Sequence, residues 1–518
     1  MDALVWGFAG RHPDCTVVLA TGIPFAGYTW EHIVAIEHFQ NLVIGSGVGG
    51  KLIAWTLAKQ GQKTVCVERA MVGGACPNVA CLPSKNVIYS AKAVSLVHPT
   101  RGLGVVPGSM HVDMAGVARR KRQMVDGLVE THLANFRSSG TELVMGEARF
   151  MQPKTVQVTL NAGGTRLLRG DRVFINVGTR ARVPEVPGLT AAGPMTHVEA
   201  LNLEHLPQHL VVVGGGYVGL EFAQAMRRFG SRVTIIQHGP RLLEKEDPDV
   251  TAGLLELMTD EGIEVLLRAE LLNVTGRSGI AVALQVRSGT TERTIDASDI
   301  LVATGRTPNT DRLDVARAGV ELDTRGYIRV NDRLQTTAPD VWALGECAGS
   351  PQFTHVGEDD FHVVLDNLSG GSRTTRGRLI PYCLFTDPEL AHVGMHESEA
   401  RAKGVSYRVA KMPMAKVFRA LTLSEPRGFM KALIGDDDRI LGFTAFGAEA
   451  SEPMAIVQTA MVGGMPYTAL RDAIWTHPTA AEGLLGLFAN PPSAPRAEPE
   501  WQETGEHRAW VTDEVAAR

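Results

Sequence analysis

Apolar and polar positions along this chain fall into one pattern that occurs twice. Between His38 and Arg69, HFQNLVIGSGVGGKLIAWTLAKQGQKTVCVER passes from an apolar run through a glycine turn into a helical repeat. It then closes on a second apolar run that ends in an acid. The spacing predicts strand, turn, helix and strand. Between His209 and Arg241, HLVVVGGGYVGLEFAQAMRRFGSRVTIIQHGPR repeats the order element for element. No run reaches the roughly 18 uninterrupted apolar residues of a membrane helix, and no basic leader precedes an apolar segment at the amino terminus. Residues 1–37 match no part of the repeated pattern and are expected to be a poorly ordered extension. Residues 491–518, rich in Pro, Glu and Ala, are expected to be a mobile tail.

The glycines give the repeat its chemistry. Gly45, Gly47 and Gly50 in the first copy, and Gly214, Gly216 and Gly219 in the second, have the spacing of a dinucleotide-binding turn. The first glycine makes the tight turn, the second lets backbone approach a pyrophosphate, and the third lets helix pack on strand. The helix N-terminus supplies donors to phosphate. Glu68, 23 positions after Gly45, suits the adenosine ribose hydroxyls; at the same offset from Gly214 stands Gln237. A neutral amide there removes the repulsion a carboxylate would exert on a 2'-phosphate, and His238 and Arg241 would add positive charge. The second site is therefore expected to favour NADPH over NADH. Two dinucleotide sites in one chain point to FAD at one and NAD(P)H at the other.

Length and charge narrow the partners. The 518 residues suffice for about three domains. A net charge of -5 with interspersed signs lacks the footprint of a nucleic-acid binder. Neither nucleic acid nor a membrane is expected as partner. Six cysteines, Cys15, Cys66, Cys76, Cys81, Cys347 and Cys383, are too few and scattered for a secreted disulfide framework, which favours a cytoplasmic setting.

Cys76 and Cys81 sit close together in GGACPNVACLPSK. On a regular helix, residues five apart point ~140° away from each other with a rise of ~7.5 Å. A disulfide wants Cα atoms within ~7 Å, so pairing requires a distorted segment. Pro77 suits a first helical turn, where thiol pKa values are lowered. No second Cys or Cys-His pair lies nearby to complete a zinc site, so no metal is expected. Cys66, Cys347 and Cys383 read as buried thiols.

That segment resembles the redox disulfide segment of the pyridine nucleotide-disulfide oxidoreductases, the flavoprotein family of dihydrolipoamide dehydrogenase, glutathione reductase and mercuric reductase. The resemblance runs from about Glu37 to about Asn490 and includes FINVGTRARVPEVPG with Gly178, ILVATGRTPN with Gly305, DVWALGECAGSPQFTH with Glu346, and THPTAAEGL. It implies an α/β fold: two Rossmann-like dinucleotide-binding domains, FAD from 38–190 with 310–375 and NAD(P) from 191–309, plus an α+β dimerisation domain from 376–490. Within that resemblance Cys81 would be the thiol nearer the flavin and Cys76 the interchange thiol. Lys85, paired with Glu221, would lie near the flavin, and Tyr217 would gate the nicotinamide pocket. His477, oriented by Glu482, would move protons in thiol-disulfide exchange. In the family that pair reaches the other subunit's disulfide, which implies a homodimer with composite sites.

The chain departs from the family in places. Glu346 stands where an aspartate usually meets the flavin ribityl chain, and Ala80 and Pro77 are unusual inside the cysteine loop. No cysteine follows Cys383, whereas the mercury enzyme hands over metal through a carboxy-terminal pair. The expected activity is electron transfer from NAD(P)H through FAD to a Cys76–Cys81 disulfide and on to a small disulfide substrate, as in dihydrolipoamide dehydrogenase. The competing readings are a mercuric reductase-like or other flavoprotein with a metal, quinone or oxygen acceptor, and a non-enzymatic redox sensor.

Overall fold

A computed structural model describes residues 35–97, 103–105, 108, 111–490 and 492–494. The extension up to residue 34, Cys15 within it, and the tail beyond 494 lie outside the described residues.

The first unit opens with β1 (Ile36–Ile44), α1 (Val48–Lys59) and β2 (Thr64–Glu68). Every residue of β2 is buried, as expected for a strand covered on both faces. The cysteine segment follows as α2 (Ala75–Asn78) and α3 (Cys81–Leu96), then α4 (Met114–Ser139). The Asp113 side chain caps α4 by accepting from the Gly116 amide, and Gly140, at φ 78°, ends it. Next come β3 (Glu142–Gln152), β4 (Thr155–Leu160), β5 (Thr165–Ile175) and the short β6 (Thr179–Ala181). β1 pairs in parallel with β2 and β5, so the strands around the first glycine turn form the centre of a six-stranded sheet. β1 starts ahead of the expected boundary: Ile36 pairs with Leu167, and Glu37 accepts from Arg166 Nε at 2.7 Å. Alternation of polar and apolar residues in IEHFQ, with its first half at the surface, hides this part of the strand.

After α5 (His197–Ala200), closed by a Thr196–Glu199 capping box, the second unit repeats the device. β7 (His209–Val213), α6 (Tyr217–Phe229), β8 (Arg232–Ile236), α7 (Pro248–Asp260) and β9 (Glu264–Leu266) form its centre. An antiparallel sheet of β10 (Ala269–Arg277), β11 (Ala281–Ser288) and β12 (Thr291–Ala297) follows, then β13 (Asp299–Val302), which pairs in parallel with β7. The chain returns to the first unit through β14 (Arg306–Pro308), antiparallel to β6, and β15 (Val341–Ala343), beside β5. α8 (Thr354–Leu368) then packs on α1.

The third unit is a five-stranded antiparallel sheet in the order β16 (Tyr382–Leu384), β17 (Glu389–Gly394), β20 (Ile440–Gly447), β19 (Phe429–Ile434) and β18 (Arg408–Pro413). Helices α9 (Glu397–Ala402), α10 (Phe418–Thr422), α11 (Ser451–Val462), α12 (Tyr467–Arg471) and α13 (Gly483–Phe488) surround it. Lys431, 1 % exposed, donates to Asp247 and Asp249 at 2.9 Å, tying this sheet to the start of α7. Ser493 bridges to Val409, so the sheet holds this residue of the expected tail. Among the described residues no helix is long and apolar enough to cross a membrane, and no group of three or more His, Cys, Asp or Glu could hold a metal ion.

Candidate active site

The two glycine turns are built alike at the atomic level. The amide of Gly45 donates to Val67 O and that of Gly214 to Ile236 O, each at 2.8 Å. A Cβ on Gly50 would lie 2.1 Å from Gly45 O, and one on Gly219 would lie 2.0 Å from Gly214 O. Neither third position admits a side chain, because helix and turn are in backbone contact there. The second glycines differ. A Cβ on Gly47 would meet Asn176 Oδ1 at 2.5 Å, whereas Gly216 faces open space. Gly178 (φ 63°) and Gly305 (φ 101°) also face open space beyond β5 and β13.

Glu68 and Gln237 hold the two turns. Glu68 Oε2 accepts from the amide and hydroxyl of Ser46 at 2.9 and 2.7 Å, and Oε1 accepts from the amides of Ala70 and Met71. Gln237 Oε1 accepts from the Gly215 amide at 2.9 Å. Its Nε2 donates to Glu244 Oε1 at 3.0 Å, so an exposed carboxylate stands beside the neutral amide. Glu244 was not legible as a site residue, since it lies seven positions on in a charged loop. His238 is exposed and Arg241 half-buried. Glu346 Oε2 accepts from Thr179 and, at 3.2 Å, from Arg306 Nε.

These features fit two dinucleotides, one at each turn. Each turn meets its helix at a glycine N-cap with no side-chain cap hydrogen bond, which leaves the backbone N–H groups to a phosphate, and Gly178, Gly216 and Gly305 leave space around them.

The cysteine segment is distorted between its two thiols. α2 ends at Asn78; Val79 (φ -142°, ψ 10°) and Ala80 (φ -131°, ψ -106°) leave helical geometry before α3 begins at Cys81. Both thiols are half-buried and free. The Cys81 thiol lies 3.2 Å from Thr354 Oγ1, the first residue of α8. The hydrogen bond from the Cys76 thiol, with Thr354 and the charge of Lys85, outweighs burial and lowers the Cys81 pKa to about 6. The same hydrogen bond and burial push the Cys76 thiol up, against the pull of Thr354 and Lys51. The lowering falls on Cys81, the thiol beside Thr354 and Lys85. Cys66 and Cys347 are fully buried, and burial raises both thiols, Cys347 to about 11.

Lys85 Nζ, one turn beyond Cys81, donates to both oxygens of Glu221 at 2.9 and 2.7 Å. Glu221 is 6 % exposed and also accepts from the Phe385 amide, so this ion pair joins α3, α6 and the third unit. Tyr217, first residue of α6, donates to Glu246 at 3.3 Å and stands edge-on to Phe353 and Tyr382. His477 Nδ1 lies 2.9 Å from both oxygens of Glu482, in a segment that leaves the imidazole exposed. The structure therefore brings together Cys76, Cys81, Lys85 and Glu221. It places His477 and Glu482 as a second pair on the third unit, with no hydrogen bond to the cysteines among the described residues. Thr354 was missed, although it lies inside the motif SPQFTH; Glu246 and Tyr382 carried no motif signal.

Comparison with known proteins shows a family. The family model for pyridine nucleotide-disulphide oxidoreductases matches residues 39–360, and that for their dimerisation domain matches residues 380–486. A probable pyridine nucleotide-disulfide oxidoreductase, RclA of Escherichia coli (strain K12), is 34 % identical over 88 % of this chain and 99 % of its own length. Dihydrolipoamide dehydrogenase of Chaetomium thermophilum is 31 % identical over 88 % of this chain and 92 % of its own. The solved structure of the Cu(II) complex of the HOCl-induced flavoprotein disulfide reductase RclA from Escherichia coli superimposes with a TM-score of 0.80. It is 33 % identical and covers 88 % of this chain and 99 % of that one.

Proposed function

The chain belongs to the pyridine nucleotide-disulphide oxidoreductase family, and from that premise we propose that it reduces a small disulfide through Cys76 and Cys81. It is an FAD-dependent oxidoreductase acting on a sulfur group, with a pyridine nucleotide as second cofactor. The observation that carries the reading is the geometry of the cysteine segment: Cys76 and Cys81 stand on either side of the break at Val79 and Ala80, with the Cys81 thiol 3.2 Å from Thr354 Oγ1 and the Lys85–Glu221 ion pair one turn on.

When bound, FAD supplies two-electron transfer between the nicotinamide and the Cys76–Cys81 disulfide. Reduction leaves Cys81 as thiolate, stabilised by Thr354 and Lys85, and Cys76 as thiol. Because the Cys76 thiol is held protonated, it needs a base before it attacks. His477 of the partner subunit takes that proton on Nε2 while Glu482 holds Nδ1, and then gives it to the leaving thiolate. Cys76 sulfur bonds to one substrate sulfur as the substrate disulfide breaks. Cys81 then attacks Cys76, releasing the second substrate thiolate and re-forming the disulfide. The second thiolate takes its proton from water, so the electron pair that entered from the nicotinamide leaves in two product thiols.

For the donor, Gln237 and Arg241 favour NADPH while Glu244 opposes it. Replacing Glu244 with Gln is expected to strengthen NADP+ relative to NAD+ by about 3- to 10-fold, the scale of one charge contact, in direct titrations. A second reading, a metal acceptor, draws on the Cu(II) complex of the Escherichia coli relative.

The test is Cys76→Ser. Electron uptake from NAD(P)H should survive, and turnover of lipoamide, glutathione disulfide and other small disulfides should vanish. Turnover of disulfides in that variant sinks the proposal. Wild-type turnover confined to Cu(II) or Hg(II) favours the metal reading.

A further inference from the structure

Behind Tyr217 lies a buried polar cluster that the chemistry above does not use. Glu246, on the loop between β8 and α7, is 3 % exposed. Its Oε1 accepts from Tyr217 at 3.3 Å and from Tyr382 at 2.7 Å. Because the single Tyr382 hydroxyl proton goes to Glu246, that oxygen must accept from His396 Nε2, 2.9 Å away. His396 Nδ1 stands 4.0 Å from Glu246 Oε2, and among the described residues neither atom has a hydrogen-bond partner. The His396 ring is itself fixed by stacking on His392, 3.8 Å between centroids.

The rings arrange the same way. Tyr382 lies parallel to Phe353, interplanar angle 3°, and Tyr217 stands nearly perpendicular to both. Tyr217 and Glu246 belong to the second unit, Phe353 to the first, and Tyr382 and His396 to the third. A half-buried ring on a glycine turn is thereby anchored at its hydroxyl by a carboxylate that another unit holds in place.

We propose that Glu246, positioned by Tyr382 and His396, is a latch for the Tyr217 ring, so that the third unit sets how tightly the nicotinamide pocket is closed. The inference rests on Tyr217 covering that pocket. A nicotinamide entering there must displace the ring and break its hydrogen bond to Glu246. The latch therefore lowers affinity for both NADPH and NADH, whichever the ribose end prefers. Glu246 and Tyr382 act through Tyr217 and are positioning residues.

The FAD-loaded dimer can be titrated calorimetrically with NADP+ and NAD+, a binding readout that needs no turnover. Tyr217→Phe keeps the ring and removes the anchor, and Glu246→Leu removes the acceptor. Each is expected to tighten both dinucleotides by about 3- to 10-fold, the scale of one hydrogen bond, and the double variant no more than either alone. Tyr382→Phe, which leaves the carboxylate in place, is expected to give the same direction with a smaller effect and covers the case of a Glu246→Leu protein that fails to fold. A gain in affinity is not what general destabilisation would cause. Unchanged affinities in Tyr217→Phe and Tyr382→Phe, with a clear shift in Tyr217→Ala, overturn the latch and leave the gate standing. Unchanged affinities in Tyr217→Ala overturn the gate itself.

Discussion

Two cysteines of identical chemistry have unlike neighbours. Cys81 has a threonine hydroxyl, a lysine charge and the other thiol as donor; Cys76 is left to supply the proton. With the Cys81 pKa lowered to about 6, the thiolate of the reduced protein is present at neutral pH and is lost as pH falls through that value. Since the largest lowering effect is the Cys76 hydrogen bond, Cys76→Ala is expected to move the titration upward. Ultraviolet thiolate absorbance and alkylation rates against pH would follow it, and an unchanged midpoint would contradict the assignment. Tyr382 and Glu246 show why some partners stay hidden in a sequence. They are 136 positions apart and meet only when the third unit folds onto the second.

At the level of elements, the glycine turns were legible because their function is local. Turn, helix start and closing residue lie within one strand-turn-helix-strand unit, so spacing alone carries the geometry. The cysteine segment was half legible. The need for distortion follows from helix geometry, but its placement at Val79 and Ala80 does not, and neither does Thr354 arriving from α8. The second copy of the turn separates packing from binding. Gly219→Ala forces a Cβ into Gly214 O and is expected to cost about 1–3 kcal/mol by overpacking. Gly216→Ala enters open space, so its melting temperature should hold while NAD(P)H binding weakens. Thermal melts paired with titrations distinguish the two, and equal melting losses would refute the distinction.

Across the whole molecule, His477 with Glu482 and Cys76 with Cys81 stand on different units, and among the described residues no hydrogen bond joins them. A composite site in a homodimer predicts a particular kind of rescue. Cys76→Ser and His477→Gln subunits are each expected to be inactive towards disulfides. Randomly re-paired, they should regain about one quarter of wild-type turnover, because half the dimers are mixed and each mixed dimer has one complete site. Absence of recovery after verified subunit exchange would place both pairs in one chain. The three-unit layout was legible from motif order. The ties between units, such as Lys431 with Asp247 and Asp249, were not, since a buried lysine looks like any surface charge until the fold supplies its partners.

One contact made by the cysteine loop reaches beyond its own chemistry. A Cβ on Gly74 (φ 78°) would lie 2.6 Å from Gly47 Cα, so the loop that carries Cys76 and Cys81 rests directly on the turn proposed to receive the flavin phosphates. The two are cast as a single piece, and the thiols therefore cannot be retuned by reshaping their loop without also remoulding the cofactor's seat. Variation in what such a protein reduces is pushed outward, to side chains that approach Cys76 from the far side.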